Sequence, residues 1–150
     1  MRTPPAPFTL AMLTKPLLSA TTLAALQECR ERLGAQGMFR ANMITDYLGI
    51  TQGVITAEGD NQVLQVAAGR TLASTRTTPL PEPSPDAPAW LHLLNQRART
   101  LLAGADPGAG TDATTLAEAT ATAWAAHSLQ EDAFRHQDQA GSLLRELAQL

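Results

Sequence analysis

The chain has 150 residues, a formal charge of −3 and 44% apolar residues. Its length suits one domain with one core. The weak negative charge gives no reason to expect a general nucleic-acid partner, which needs a concentrated positive field. A single cysteine, Cys29, excludes an internal disulfide framework and a cysteine-based zinc cluster, and it fits the cytoplasm. Aromatic residues are scarce at 4%, so the core is expected to form from aliphatic helix faces, which favours helical packing.

The amino-terminal residues weakly imitate a secretion signal. The apolar run is interrupted by Lys15 and Pro16, and no stretch approaches the roughly 20 apolar residues that cross a bilayer, so no membrane partner is expected. A helix is predicted from about residue 17 to 33, ending at Gly34. Its buried face is formed by residues at helical spacing, namely Leu23, Leu26, Cys29 and Leu33.

The stretch GVITAEGDNQVLQVA, residues 53–67, allows three interpretations. A β-hairpin could turn at residues 58–61, but few other strand candidates exist to complete a sheet. Alternatively, Asp60 or Asn61 caps a helix that follows, with Val63, Val66 and Ala67 on one side and Leu64, Ala68 and Leu72 on an adjacent one. Thirdly, residues 43–57 could form a helix-turn-helix with its turn at residues 48–50, although an acidic chain without a basic patch would bind DNA weakly.

Proline and glycine divide the rest of the chain. Residues 77–88, TTPLPEPSPDAP, carry five prolines and predict a connector, which separates a segment 1–76 from C-terminal helices at 89–150 within one domain overall. Asp86 is a candidate N-cap for the first of these helices. After a break at residues 104–110, TLAE at 115–118 matches a capping box. Two apolar stripes are predicted to be buried: Trp90 or Leu91, Leu94, Ala98, Leu101 and Leu102, and then Leu116, Ala119, Ala123, Leu129 and Phe134. Beyond Gly141, Leu143, Leu144 and Leu147 extend the second stripe, so one long helix or two close the chain.

Scattered residues of possible chemical interest have simpler explanations. His92, His127 and His136 lack carboxylate or cysteine partners at ligand spacing, so no metal site is expected. Trp90 and Trp124 are predicted to pack at helix interfaces.

Two segments together resemble the C-terminal helical domain of the acyl-CoA oxidases, within the flavin-dependent acyl-CoA dehydrogenase superfamily. They are ECRERLGAQGMF, residues 28–39, and DYLGITQGVITAEGDNQVLQVAAGRTLA, residues 46–73. Oxidases of this family carry a Cys-Arg helix end, a Gly-x-x-Gly turn and a Glu-Gly-Asp/Glu-Asn loop in this order. The resemblance implies an all-α helical bundle like the C-terminal domain of those enzymes, and it thins beyond the connector.

The resemblance implies a role in fatty-acid β-oxidation, the α,β-desaturation of acyl-CoA. It makes Glu58 the catalytic base, which takes a proton beside the thioester while FAD accepts a hydride. It assigns the turn of Gly34, Gln36 and Gly37 to FAD binding, often across a subunit interface. Three residues of the loop are assigned to FAD in the same way: Gly59, Asn61 and Gln62. Asp60 is expected to cap the helix rather than touch phosphate.

Oxidases of this family also have an N-terminal helical domain and a middle β-domain, and nothing in these 150 residues reads as that β-domain. The isolated chain is therefore expected to be inactive. Its expected partners are acyl-CoA, once the other domains complete the site, and a second copy or another oxidase chain. The alternative function is a non-catalytic helical interaction module or remnant.

Overall fold

The computed structural model describes residues 7–57, 59–76, 80–106 and 108–147, with side chains between residues 8 and 137 except at 111. These residues form five α-helices: α1 (Pro7–Arg32), α2 (Ile44–Ala57), α3 (Asn61–Thr75), α4 (Ala89–Gly104) and α5 (Gly110–Leu147). Two short 3-10 helices, Gly34–Met38 and Arg40–Asn42, join α1 to α2. No strand occurs in the described ranges, so the all-α prediction is confirmed and the β-hairpin is excluded.

Helix α1 begins ten residues earlier than the sequence predicts and runs through Lys15 and Pro16. Pro16 lacks an N–H group and leaves the carbonyl of Met12 without its usual helical donor. Met12 and Leu13 are nevertheless buried in the core, at 5% and 2% exposure, and Pro16 is buried as well. Tertiary packing therefore outweighs the local cost of proline.

The length of α1 also changes the membrane prediction. Residues Phe8–Arg32 are long and apolar enough to cross a bilayer by length and composition, and α1 is the one such helix among the described residues. The expectation that no stretch approaches this length is therefore wrong. Buried core helices and N-terminal signal sequences pass the same test.

Helix α2 is continuous from Ile44 to Ala57. The proposed helix-turn-helix is wrong, because its turn at residues 48–50 lies inside this helix. Helix α3 then begins at Asn61 with Asp60 as its N-cap, as the second interpretation predicted. Its buried residues include Ala68 and Leu72 of one predicted side, whereas Val63 of the other predicted side is 65% exposed.

Two apolar clusters lie along α5. The first joins α1, α3, the end of α4 and α5, and the second lies between α4, α5 and the connector. Close approach of α3 and α5 depends on Gly69, where an added Cβ would overlap the backbone carbonyl of Ala113. The first cluster contains Met12, Leu13, Ala68, Leu72, Ala73, Leu102, Ala105, Leu116, Ala117 and Ala121. The second contains Leu80, Ala98, Ala119 and Ala123, with Leu94, Leu101 and Trp124 against it.

Both predicted caps of the C-terminal helices are wrong. Helix α4 has Pro88 as its N-cap residue, and its side chain makes no capping bond, while Asp86 lies in a preceding turn. Helix α5 begins at Gly110, so Thr115 and Glu118 lie within it and form no capping box at its start. A turn at Asp106, whose carboxylate accepts the N–H of Gly108, already redirects the chain into α5.

Several residues predicted to be buried are exposed. Leu129 is 70% exposed and Phe134 is 53% exposed, because the later part of α5 continues beyond the helices that cover its beginning. Cys29 is exposed. Trp90 is 48% exposed, whereas its neighbour Leu91 is buried at 2%, so Leu91 occupies the inward position of α4.

Candidate functional site

The candidate site is the loop between α2 and α3. Glu58 lies outside the described residues. Gly59 follows it with φ = 101°, a backbone conformation that favours glycine. The carboxylate of Asp60 accepts the N–H groups of Gln62 and Val63 at 2.8 and 3.2 Å. These bonds satisfy two of the donors that a helix start leaves unpaired, and they fix the direction in which α3 leaves the loop.

Lys15 of α1 holds this loop from the side. Its Nζ donates to the carbonyl oxygens of Ile55 and Gly59 at 2.9 and 2.6 Å, and to Oδ1 of Asn61 at 2.8 Å. An ammonium group has three donors, and all three have acceptors here. A cation beside the last carbonyls of α2 also complements the negative end of that helix. Lys15 therefore links the end of α2 to the start of α3.

Ser19 lies one turn after Lys15 and contacts the same asparagine. Asn61 Nδ2 donates to Ser19 Oγ at 2.9 Å, and Ser19 Oγ donates to the carbonyl of Lys15 at 2.8 Å. Lys15 and Ser19 were not predicted as site residues. The available signal was a pair of polar residues four positions apart within an apolar helix, which places both on one face.

The second predicted group, at the end of α1, forms the Gly34–Met38 3-10 helix. Gly34 has φ = 55° and open space where a side chain would lie. Gly37 is buried, and a Cβ there would approach the carbonyl oxygen of Arg30 to 2.5 Å, so its lack of a side chain is required for packing on α1. The side chain of Gln36 is exposed. The backbone carbonyl of Gln36 accepts hydrogen bonds from Phe39 N and Asn42 Nδ2.

The structure does not bring the two predicted groups together. Gly34–Met38 precedes α2 and the Gly59–Gln62 loop follows it, so the 14 residues of α2 separate them by roughly 21 Å. Helices α1 and α2 run antiparallel, because Lys15 meets the end of α2 while the end of α1 leads into its start. The two predicted groups, called half-sites below, therefore lie at opposite ends of this helix pair.

A groove of about 410 Å³ opens between α1 and α2 and reaches Lys15 and Ser19, the two residues that hold the loop. Its walls are mainly apolar, with Leu18 and Ile50 at 64% and 59% exposure. Nearer the loop, Lys15 and Ser19 supply its polar end. The lining residues are Ala11, Thr14, Lys15, Leu18, Ser19, Thr22, Ile50, Thr51 and Val54. Within the described ranges, no group of three or more His, Cys, Asp or Glu residues could hold a metal ion.

The fold and this site define an all-α bundle domain in which a capped glycine loop is presented beside an apolar interhelical groove. Residues 5–73 match the family model described as "Acyl-CoA oxidase, C-alpha1 domain". Over residues 5–73 the chain therefore matches an acyl-CoA oxidase C-terminal helical domain, and the resemblance drawn from the two sequence segments is confirmed for this part. No curated protein and no solved structure matches the chain. Helices α4 and α5 lie beyond the matched residues.

Proposed function

We propose that the chain supplies the C-terminal helical part of a flavin-dependent acyl-CoA oxidase, with Glu58 as the base. The observation that carries this proposal is the family match, which spans α1, α2 and the whole loop from Ala57 to Asn61. The proposed reaction is the α,β-desaturation of acyl-CoA. The proposed location is the cytoplasm, which fits the single free cysteine.

The chemistry requires a carboxylate held at a fixed position. A base accepts the proton from the carbon beside the thioester carbonyl, and the neighbouring carbon loses a hydride. FAD, when bound, accepts that hydride. The contribution of this chain is positioning, because Lys15 binds carbonyls on both sides of residue 58, those of Ile55 and Gly59. Because Ile55 and Gly59 are already held, the base has less conformational freedom to lose when it meets the substrate.

The residues assigned to FAD fit that role unequally. The amide of Asn61 and the N–H of Gln62 are already bonded within the chain, which supports a structural role for both groups. Gly37 is required for packing on α1. The exposed side chains of Gln36 and Gln62, together with the open space at Gly34, are the groups available to a cofactor.

The separation of the two half-sites supports a dimeric arrangement. In the proposed assembly, the Gly34–Met38 turn of one copy and the Gly59–Gln62 loop of another copy contact the same FAD. The exposed apolar residues of the α1–α2 groove supply a surface for association with the second copy or with the N-terminal and middle domains of an oxidase.

The test is a reconstitution assay. The purified chain is mixed with FAD and acyl-CoA, with and without the N-terminal and middle domains of an acyl-CoA oxidase supplied as a separate polypeptide, and peroxide is measured. We expect peroxide only when the chain, the second polypeptide, FAD and acyl-CoA are all present. Glu58→Gln should lower its rate by about 10²- to 10⁴-fold, since the base is lost. The control, Glu31→Gln at an exposed position of α1, should leave the rate unchanged.

Each other outcome of this assay contradicts a defined part of the proposal. Turnover that survives Glu58→Gln would remove Glu58 from the chemistry. Peroxide formed by the chain alone would show that it needs no further domains. Failure of the mixture to bind FAD or to form peroxide would favour the helical interaction module over the oxidase part.

A further inference from the structure

A buried polar cluster lies under the proline-rich connector, outside the residues that match the oxidase family. Asn95 of α4 is 2% exposed and His127 of α5 is 7% exposed. Asn95 Nδ2 donates to the carbonyl of Pro81 at 2.7 Å and lies 3.1 Å from Nε2 of His127. Asn95 Oδ1 accepts from Nε of Arg99. One amide therefore connects the connector, α4 and α5.

The contacts of Asn95 determine the protonation state of His127. A guanidinium has donors alone, so the amide atom that faces Arg99 is the oxygen. The amide nitrogen consequently faces both Pro81 and His127. Since this nitrogen donates, Nε2 of His127 must accept, which requires a neutral imidazole with its proton on Nδ1.

The charges around His127 come from three elements. Burial is the main cause that lowers the pKa of His127 below 6.5. Arg99 and His92 on α4 lower this pKa further, whereas Glu131 on α5 and Glu82 on the connector raise it. The neutral form is thus favoured in the folded state. Its contribution to stability is complete above about pH 6.5 and is lost as the pH falls toward the lowered folded-state pKa.

We propose that Pro81, Asn95 and His127 form an acid-sensitive latch that holds the connector against α4 and α5. Protonation places a hydrogen on Nε2, opposite the hydrogens of Asn95 Nδ2, so two donors face each other at 3.1 Å. Turning the Asn95 amide would remove the acceptor of Arg99. The repulsion between these donors is therefore removed when the side chains of Asn95 and His127 move apart, and this movement breaks the Asn95 bond to Pro81.

Release of the latch has a structural consequence next to Pro81. Leu80 is 0% exposed and belongs to the second apolar cluster, against which Trp124 packs. Arg99 adds two further contacts to the connector, with the Leu80 carbonyl at 3.5 Å and the Glu82 carboxylate at 2.8 Å. Loss of the Pro81 bond weakens the hold on this segment and lets Leu80 leave the cluster.

The first test uses tryptophan fluorescence and hydrogen exchange on the full chain. The sequence has two tryptophans, so Trp90→Phe leaves Trp124 as the reporter beside Leu80. We expect its emission to change between about pH 8 and pH 5, with a midpoint below 6.5. Exchange of the connector amides, corrected for the intrinsic pH effect and referred to α3 amides, should rise roughly 5- to 100-fold, as expected for one unmade buried hydrogen bond.

Two variants and an NMR spectrum test whether His127 is the group whose protonation releases the connector. His127→Gln supplies an amide oxygen that accepts without titrating, so the acid response should disappear while the neutral-pH emission is kept. The matched control His136→Gln, at an exposed histidine of the same helix, should respond as the parent does. Imidazole ¹⁵N NMR of the unmodified chain should show His127 protonated on Nδ1 at neutral pH. An acid response that persists in His127→Gln, or a proton on Nε2 at neutral pH, would overturn the latch.

Discussion

Lys15 is the residue on which the geometry of the glycine loop depends most. Its ammonium joins α1 to acceptors at the end of α2 and the start of α3, at 2.6 to 2.9 Å. These bonds are charge-assisted, and such bonds are stronger than those between neutral groups. Removing the ammonium would leave three acceptors without their donor.

We therefore predict that Lys15→Met, which keeps the apolar part of the side chain, lowers the free energy of unfolding by about 1–3 kcal/mol. Urea denaturation measures this change. Hydrogen exchange should also accelerate at the loop amides more than at those of α4. Arg97→Met, at an exposed cation of α4, is the control and should change stability by less than about 0.5 kcal/mol. Equal effects of the two substitutions would contradict the anchoring role.

The residues of this site differ in how far sequence could predict them. The capping role of Asp60 was predictable, because its acceptor and the N–H groups of Gln62 and Val63 are two and three residues apart. Lys15 could not be found in the same way, since its partners lie 40 to 46 residues away. The position of Glu58 stays a prediction, as do the cofactor contacts of Gly34 and Gln36.

Among the helices, sequence periodicity predicted where each helix lies better than it predicted where each helix begins. The apolar spacing of α3 predicted two adjacent apolar sides, and the side with Ala68 and Leu72 is the buried one, because residues three or four apart share a helix face. The start of α1 was missed because Pro16 is unfavourable locally and is tolerated through its burial. The start of α5 was missed because the turn at Asp106 begins the helix before the capping sequence at Thr115.

Two glycines within helices should respond to alanine with opposite signs. Gly69→Ala places a methyl group against the backbone of Ala113 and forces α3 and α5 apart, so we predict a loss of about 3 kcal/mol or more. Gly53→Ala, in α2, meets no atom within 4 Å. It should stabilise the protein by about 0.5–1 kcal/mol, because alanine has the higher helix propensity. Thermal unfolding of both variants checks the pair, and a stable Gly69→Ala protein would refute the close packing.

For the whole molecule, the exposed apolar groove between α1 and α2 predicts association. Leu18, Ile50 and Val54 line it with 64%, 59% and 37% exposure, and contiguous apolar surface of this kind favours a partner. We expect a dimer of the purified chain by light scattering at micromolar concentration. Ile50→Lys should shift it toward monomer, whereas Gln52→Lys, at an exposed position of α2 outside the groove lining, should not. A monodisperse parent monomer would contradict this prediction.

Helix α5 contributes Leu116, Ala117 and Ala121 to the cluster that also holds Met12, Leu13 and Leu72. The borders of the family match, residues 5–73, therefore do not coincide with the borders of the packed unit. The family match ends at residue 73, whereas the apolar cluster that packs as one unit extends to Ala121. A fragment that ends at Ala73 would leave the apolar side of α3 uncovered, so the matched residues depend on α5 for part of their core.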